Sequence, residues 1–288
     1  MGRIRAAVIG VGYLGRFHAQ KYAAHADCEL VAVVDPRAEA REAVARECAT
    51  QALAEPHELY GRVDAVSIVT PTPSHFELAA AFLRHGAHVL VEKPITETVA
   101  QADELIALAR ANDRILQVGH LERFNPAVIA AEPLLRNPGF IECQRLAPFR
   151  QRGTDVNVVL DLMIHDIDIV QSIVRSEIET IDAIGAPIFS DEIDIANARI
   201  RFASGCVANT TASRISLKTE RKLRVFAADA YVSIDLQQRV LTVVRRSAAA
   251  GNMPVQIEEQ SFEQGDALQA EIDSFLRCVR SGQPPLVS

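Results

Sequence analysis

Apolar positions in the first part of the chain fall into short runs separated by amphipathic stretches. Ile4–Gly10 (IRAAVIG) reads as a strand, the residues from Leu14 to about Ala26 as a helix, and Glu29–Asp35 (ELVAVVD) as a second strand. Pro36 opens a charged amphipathic helix, PRAEAREAVARECA, with proline in the favoured first turn. AVSIVT (Ala65–Thr70) is the next strand, followed by the helix SHFELAAAFLRHG, with Ser74 as N-cap and Gly86 as its stop. HVLVEKP, a helix from about Glu97 to Asn112, and ILQVGH (Ile115–His120) continue the series. Strand–helix alternation of this kind predicts a parallel, doubly wound α/β sheet with right-handed crossovers.

After about His120 the pattern changes. FNPAVIAAEPLLRN reads as helical, FIECQRLAPF as a strand, and DLMIHDIDIVQSIV as a helix beginning near Asp161. From Ile178 to about Val244 strands follow one another through turns such as Ala203–Gly205, which predicts a large, mostly antiparallel open sheet. A last helix runs from about Ala267 to Arg280. The expected organisation is an N-terminal Rossmann dinucleotide-binding domain over residues 1–121 and a C-terminal α+β domain over 122–288 for substrate binding and oligomerisation.

Composition narrows the function classes. The chain has 288 residues, 49% hydrophobic, with a net charge of −7, enough to fill a core and with no lysine/arginine run to mark a nucleic-acid or anionic-membrane surface. Five scattered cysteines without a C-x-x-C read as reduced, structural and cytosolic, and indicate no metal site. Arg3 and Arg5 precede an apolar stretch, but Gly10 and Gly12 break it, so it makes a poor signal peptide. No run approaches the roughly 20 apolar residues of a membrane span.

Gly10-Val-Gly12-Tyr13-Leu14-Gly15 is a G-x-G-x-x-G placed after a strand and at the opening of a helix, with Asp35 twenty residues beyond Gly15. That context is what a dinucleotide requires. The first glycine permits the turn, the second lets a pyrophosphate approach the backbone, the third packs helix on strand, and the helix N-terminus offers N–H groups to the phosphates. Asp35 can accept the adenosine ribose hydroxyls and would repel a 2′-phosphate, favouring NAD, while Arg37 could offset that repulsion and allow some NADP use.

VEKP closes a later strand at the carboxyl edge, where open α/β sheets bind ligands. Asp161 and His165, four apart, share one helix face, with Asp168 another turn along. An imidazole beside a carboxylate is suited to accepting a proton, although the spacing alone also fits a solvated polar face. A nucleotide loop, a sheet-edge lysine and a histidine on a second-domain helix would enclose a cleft and supply both a hydride acceptor and a base for oxidising an alcohol.

GVGYLGRFHA, VVD, TPTPSH, VEKP, ERFNP and DLMIHDID together resemble the glucose–fructose oxidoreductase/inositol dehydrogenase (Gfo/Idh/MocA) family over nearly the whole chain. The resemblance implies a catalytic group of Lys93, Asp161 and His165. His165 is the base, and Lys93 hydrogen-bonds the reacting oxygen beside the nicotinamide. It also implies that Thr70, Pro71 and His75 line the cofactor, that Glu92 contacts it, and that the Lys93–Pro94 bond is cis. Relatives usually continue beyond the final Ser288 with another helix.

More narrowly, QVGHLERFNPAV together with VEKPIT is similar to the bacterial branch that oxidises UDP-N-acetylglucosamine at C3 on the way to a 3-amino sugar of lipid A. A diphosphate wants guanidinium groups, and Arg123, Arg150 and Arg152, with Asn125, are the candidate substrate-binding residues, although each arginine also fits a plain surface position. Phe124 or Phe149 could stack a uracil. Oxidation of a free sugar or cyclitol, redox-assisted glycoside cleavage, and a non-catalytic NAD-sensing regulator are the competing functions. Such regulators often lose the lysine or histidine, and both are present here. The open sheet of the second domain, read as a broad apolar face, predicts a homodimer or homotetramer.

Overall fold

The computed structural model describes residues 2–149, 156–247, 255–263 and 265–288. They form two compact units: the chain up to Leu121 together with Asp266–Ser288, and Glu122–Gly265.

In the first unit β1 (Ile4–Ile9), α1 (Tyr13–Ala24), β2 (Cys28–Val34), α2 (Ala38–Cys48), β3 (Gln51–Leu53), β4 (Ala65–Ile68), α3 (His75–Arg84), β5 (His88–Glu92), α4 (Val99–Ala111) and β6 (Leu116–Gly119) alternate along the chain. The strands pair in parallel in the order β3-β2-β1-β4-β5-β6, reversing direction at β1/β4. Successive side chains of a strand face opposite ways. Ala7 and Ile9 therefore join Phe82, Leu83 and Leu105 on one face, while Ala6 and Val8 join Ala19 and Tyr22 on the other. Burial on both faces explains why these strands read as continuous apolar runs. Helix starts differ in detail from expectation. Pro36 stays outside α2, whose N-cap is Arg37, and the Ser74 hydroxyl donates to Thr70 Oγ1 and Pro71 O instead of capping α3. Thr98 and Gln101 form a reciprocal capping box on α4.

The second unit opens with α5 (Pro126–Ala131) and β7 (Pro138–Leu146), then a π-turn over Val159–Met163 running into α6 (Ile164–Val174). Strands β8 (Ile178–Ala186), β9 (Ile195–Phe202), β10 (Val207–Ser213), β11 (Glu220–Ala227), β12 (Ala230–Asp235), β13 (Val240–Arg246) and β14 (Val255–Ser261) follow. The sheet order is β14-β13-β12-β11-β7-β10-β9-β8, antiparallel except for the β7/β10 pair. Ile141, Ile200, Phe202, Val225 and Ile234 cover one face, packed under α5 and α6 through Ala127, Val128, Ile169 and Val170. The opposite face is not the broad apolar surface expected. A row of register partners across the strands carries Asp182, Arg199, Asn209, Glu142, Arg224 and Ser233, beside an apolar row through Phe140, Phe226, Tyr231, Val244 and Ile257.

Residues 266–288, expected in the second domain, belong to the first unit. Helix α7 (Ala267–Ser281) lays Leu268, Ile272, Phe275 and Leu276 onto the Tyr22 side of the parallel sheet. Those positions, three and four apart, make one apolar stripe. Lys21 pairs with Asp266, and Arg280 Nη1 lies 3.1 Å from Asp27 Oδ2. None of the helices described is long and apolar enough to cross a membrane, and all five thiols are free.

Asp194 anchors the turn between β8 and β9. Its carboxylate accepts from the backbone of Ile188, Phe189 and Ser190 and from Arg214 Nε at 2.7 Å, with no exposure. Burial pushes this carboxyl up, but Arg214 and the amides outweigh it and hold it well below the usual carboxylate range. Its stabilisation is thus present above the ordinary value of 3.8 and is lost as pH falls from there toward the folded value. Asp194→Asn is expected to lower the urea midpoint at pH 7 and to flatten the acid limb of the stability–pH curve; equal acid limbs for the two proteins would contradict this.

Candidate active site

The glycine loop joins β1 to α1. Gly10 has φ +85°, a left-handed conformation suited to glycine, and its N–H donates to Val34 O at 2.7 Å. A Cβ on Gly15 would lie 1.9 Å from Gly10 O, so only glycine lets the helix pack this close. A Cβ on Gly12 would meet nothing nearer than Arg37 Nη2 at 3.8 Å, so this backbone faces open space. The first turn of α1 carries no side-chain cap and no acidic residue. A helix start of this kind, behind an open glycine backbone, fits a pyrophosphate. Tyr13 is exposed and edge-on to Phe17, while Leu14 packs into the core beneath.

Asp35 follows β2 and is 4% exposed. Its carboxylate accepts from Val11 N at 3.1 Å, Arg37 N at 2.9 Å and the Arg37 guanidinium at 3.1 and 3.2 Å. Burial raises its carboxyl, but these hydrogen bonds outweigh that and hold it below its ordinary value, so it stays ionised. Arg37 is pinned to it, with its outer side exposed.

Thr70 and Pro71 follow β4, and Lys93 follows β5, at the carboxyl edge of the same sheet. His75, expected to line the cofactor, instead joins these two loops: Nδ1 lies 2.9 Å from Pro94 O and Nε2 2.8 Å from Thr70 O. Glu92, also expected at the cofactor, turns its carboxylate inward, with Oε1 3.2 Å from His18 Nε2. The Lys93–Pro94 bond is cis, and Lys93 is half-buried.

In the second unit, Asp161 lies on the π-turn and His165 and Asp168 on α6, all three half-buried. The helical segment starts earlier than expected because Asn157 Oδ1 accepts from Val159 N and Leu160 N at 3.1 Å each. Such a π-turn re-aims the side chains around it. Arg123 Nη1 lies 3.5 Å from Asp168 Oδ1. Asn125, expected to bind substrate, is committed to structure: it caps α5 through Ala127 N and donates to Leu236 O at 3.0 Å and Glu122 Oε2 at 3.3 Å. Phe124 is buried, and Phe149 stacks edge-on with Phe189 at 5.6 Å. Arg150 and Arg152 lie outside the described residues.

Two buried groups escaped the sequence reading. Arg145 on β7 is 2% exposed, with Nη2 2.8 Å from Asp166 Oδ1 and Nη1 2.9 Å from Glu122 Oε1. Burial opposes its charge, but the two carboxylates outweigh that and the guanidinium is held charged. Its signal was available: Ile141, Cys143 and Arg145 alternate onto the inward face. The second group is His18, Glu92 and Glu271, whose ligand-type atoms lie within 4.8 Å of one another. Glu271 interrupts the apolar stripe of α7.

Comparison with known proteins agrees with this geometry. Residues 4–120 match the oxidoreductase family with an NAD-binding Rossmann fold, and residues 138–233 match the GFO/IDH/MocA C-terminal domain. UDP-N-acetylglucosamine 3-dehydrogenase of Acidithiobacillus ferrooxidans is 40% identical over 99% of this chain and 91% of its own. A solved structure of that enzyme superposes with a TM-score of 0.95, covering 100% of this chain and 92% of the other at 38% identity. scyllo-Inositol 2-dehydrogenase (NAD(+)) of Bacillus subtilis is 28% identical over 99% of this chain and 89% of its own. The chain therefore belongs to the Gfo/Idh/MocA oxidoreductase family, and its first unit is that family's NAD-binding Rossmann domain.

Proposed function

We propose that this protein oxidises the C3 hydroxyl of UDP-N-acetylglucosamine to the 3-keto sugar nucleotide with NAD. The observation that carries this reading is the likeness, at 40% identity over nearly the full chain, to an enzyme named for that reaction. The glycine cradle and ionised Asp35 are the features that would hold the cofactor, with the Gly12 backbone and the first turn of α1 toward the pyrophosphate and Asp35 toward the adenosine ribose. NAD, when bound, supplies the hydride acceptor. His165 takes the hydroxyl proton, Asp161 orients the imidazole, and Lys93 donates to the reacting oxygen, stabilising charge as it builds there. With bound NAD as the acceptor of the hydride, the proton taken by His165 would complete the two-electron oxidation of the carbinol to a ketone. His75 and Glu92 act by shaping the loops around Lys93. Arg123, Arg150 and Arg152 are the guanidinium groups assigned to the diphosphate. The product is a precursor of the 3-amino sugar of lipid A, made by a cytoplasmic homodimer or homotetramer assembled through the second unit's sheet.

Incubating the purified protein with NAD and candidate substrates, and following NADH absorbance, tests this reading. NADH should form with UDP-N-acetylglucosamine and not with free N-acetylglucosamine or inositols. Turnover of a cyclitol alone would overturn it, and sugar cleavage without net NADH would place the chemistry elsewhere.

A further inference from the structure

One group of buried polar side chains in the first unit gathers beneath the end of β5. His18 and Tyr22 from α1, Ser67 from β4, Gln117 from β6 and Glu271 from α7 are 0% exposed, and Glu92 at the end of β5 is 7% exposed. On one side Tyr22, Ser67 and His18 form a hydrogen-bonded chain that ends against Glu92. Tyr22 Oη is 2.8 Å from Ser67 Oγ, Ser67 Oγ is 3.2 Å from His18 Nδ1, and His18 Nε2 is 3.2 Å from Glu92 Oε1. Burial pushes the Tyr22 phenol up, so it remains a donor. Tyr22, Ser67 and His18 Nδ1 are thus linked by hydrogen bonds, while His18 Nε2 lies close to Glu92 Oε1 without bonding it. On the β6 side the Glu92 carboxylate fills the space beside Gly119, where a Cβ would come within 2.6 Å of Oε1.

Glu271 faces this arrangement from α7, and neither of its carboxylate oxygens makes a hydrogen bond. Gln117 Nε2 reaches only the Glu271 backbone carbonyl, at 3.5 Å. The pairs Lys21–Asp266, His25–Asp273 and Arg280–Asp27 lie at the rim, where α7 meets α1 and the turn before β2. Two carboxylates this close and this dry are not both ionised at low cost. Burial pushes the Glu271 carboxyl up, and the charge on Glu92 pushes it further.

We propose that Glu271 is a positioning residue for Lys93: its carboxylic acid donates to the Glu92 carboxylate and so seats it at the end of β5, one residue before the lysine. Glu92 is then bonded by Glu271 and confined by the His18 ring and by the backbone at Gly119. The backbone that presents Lys93 inherits that rigidity. The idea rests on the reading of Lys93 given above, so its test includes measurements that need no turnover.

The test compares wild type, E271Q and E271A. Glutamine keeps a donor toward Glu92 but cannot ionise. Infrared difference spectra with labelled glutamate should show a protonated carboxyl band at pH 7.5 in the wild type that is absent from E271Q. An acid kept protonated in the fold but ionised above its ordinary 4.5 in the unfolded chain makes stability fall as pH rises beyond that value. The Tm of E271Q should therefore exceed that of the wild type by a margin that grows from about pH 5 to about pH 9. Amide hydrogen exchange at Lys93, read by mass spectrometry, should quicken in E271A and return toward wild type in E271Q. Turnover should drop roughly tenfold in E271A with KM little changed, and recover in E271Q. A missing infrared band, parallel Tm curves, equal exchange in E271A and wild type, or a stoichiometric metal ion bound by the cluster would each overturn the proposal. A wild type that turns over no sugar nucleotide would overturn the proposed function, while the infrared, Tm and exchange results would still decide the role of Glu271.

Discussion

Replacing His165 with alanine is expected to slow NAD reduction by about 100- to 10,000-fold, the range a positioned general base contributes. The affinity for NAD should be unchanged, because the glycine cradle and Asp35 belong to the other compact unit. Cofactor binding measured by fluorescence quenching and kcat measured by NADH formation separate the two effects. Added imidazole should restore part of the lost rate, since the missing function is proton acceptance and not the fold. A His165→Ala protein that kept its rate, or that lost NAD affinity instead, would remove His165 from the catalytic group. Lys93→Ala makes the companion test. Loss of one donor to a developing oxyanion costs about 100- to 1,000-fold, so it should fall somewhat less than His165→Ala.

Arg145→Ala is expected to produce the largest loss of stability. The guanidinium is buried with Asp166 and Glu122, and Asp166 adjoins His165 on α6. Removing one partner of such a pair leaves carboxylates buried without compensation, at a cost of about 3–5 kcal/mol. Urea unfolding at pH 7 measures this. Arg221 Nη1, 3.6 Å from Glu122 Oε1, can take over part of that carboxylate, so Asp166 carries most of the penalty. Combining Arg145→Met with Asp166→Leu should recover much of the loss, because a packed apolar pair of similar volume often replaces a buried ion pair without penalty. A loss below about 1 kcal/mol in Arg145→Ala would mean that water reaches these carboxylates.

The parallel half of the fold was legible because its signals are local. Four-to-seven-residue apolar runs, the G-x-G-x-x-G and the position of Asp35 need only sequence spacing to be read. Proline and cap placement erred by a residue or two: Pro36 stops short of α2, and Ser74 bonds the Thr70 loop instead of the helix. The second unit was readable as strands, but its open face was not. Whether a strand's outward residues form an apolar patch or a polar row depends on register across eight strands, and register is set by distant partners.

Site residues divided on the same physical line. Gly10, Gly15, Asp35 and Lys93 are placed by the strand each one ends or follows, so the chain itself located them. His75 and Glu92 were expected at the cofactor from the family resemblance, and Asn125 at the substrate. In the fold Asn125 caps α5 and bonds Leu236, His75 bridges two loop carbonyls, and Glu92 packs against His18 beside Gly119. Arg145 and Glu271 sat unremarked in apolar patterns, because a charge on a buried face has meaning only once its partner is known. The sequence by itself determined which segments become strands, where phosphate can lie, and the family. Tertiary structure decided that α7 returns to the first unit, and which polar side chains are left for chemistry. The reason is that burial obliges each polar group to find a partner, and partners far apart along the chain are visible only after folding.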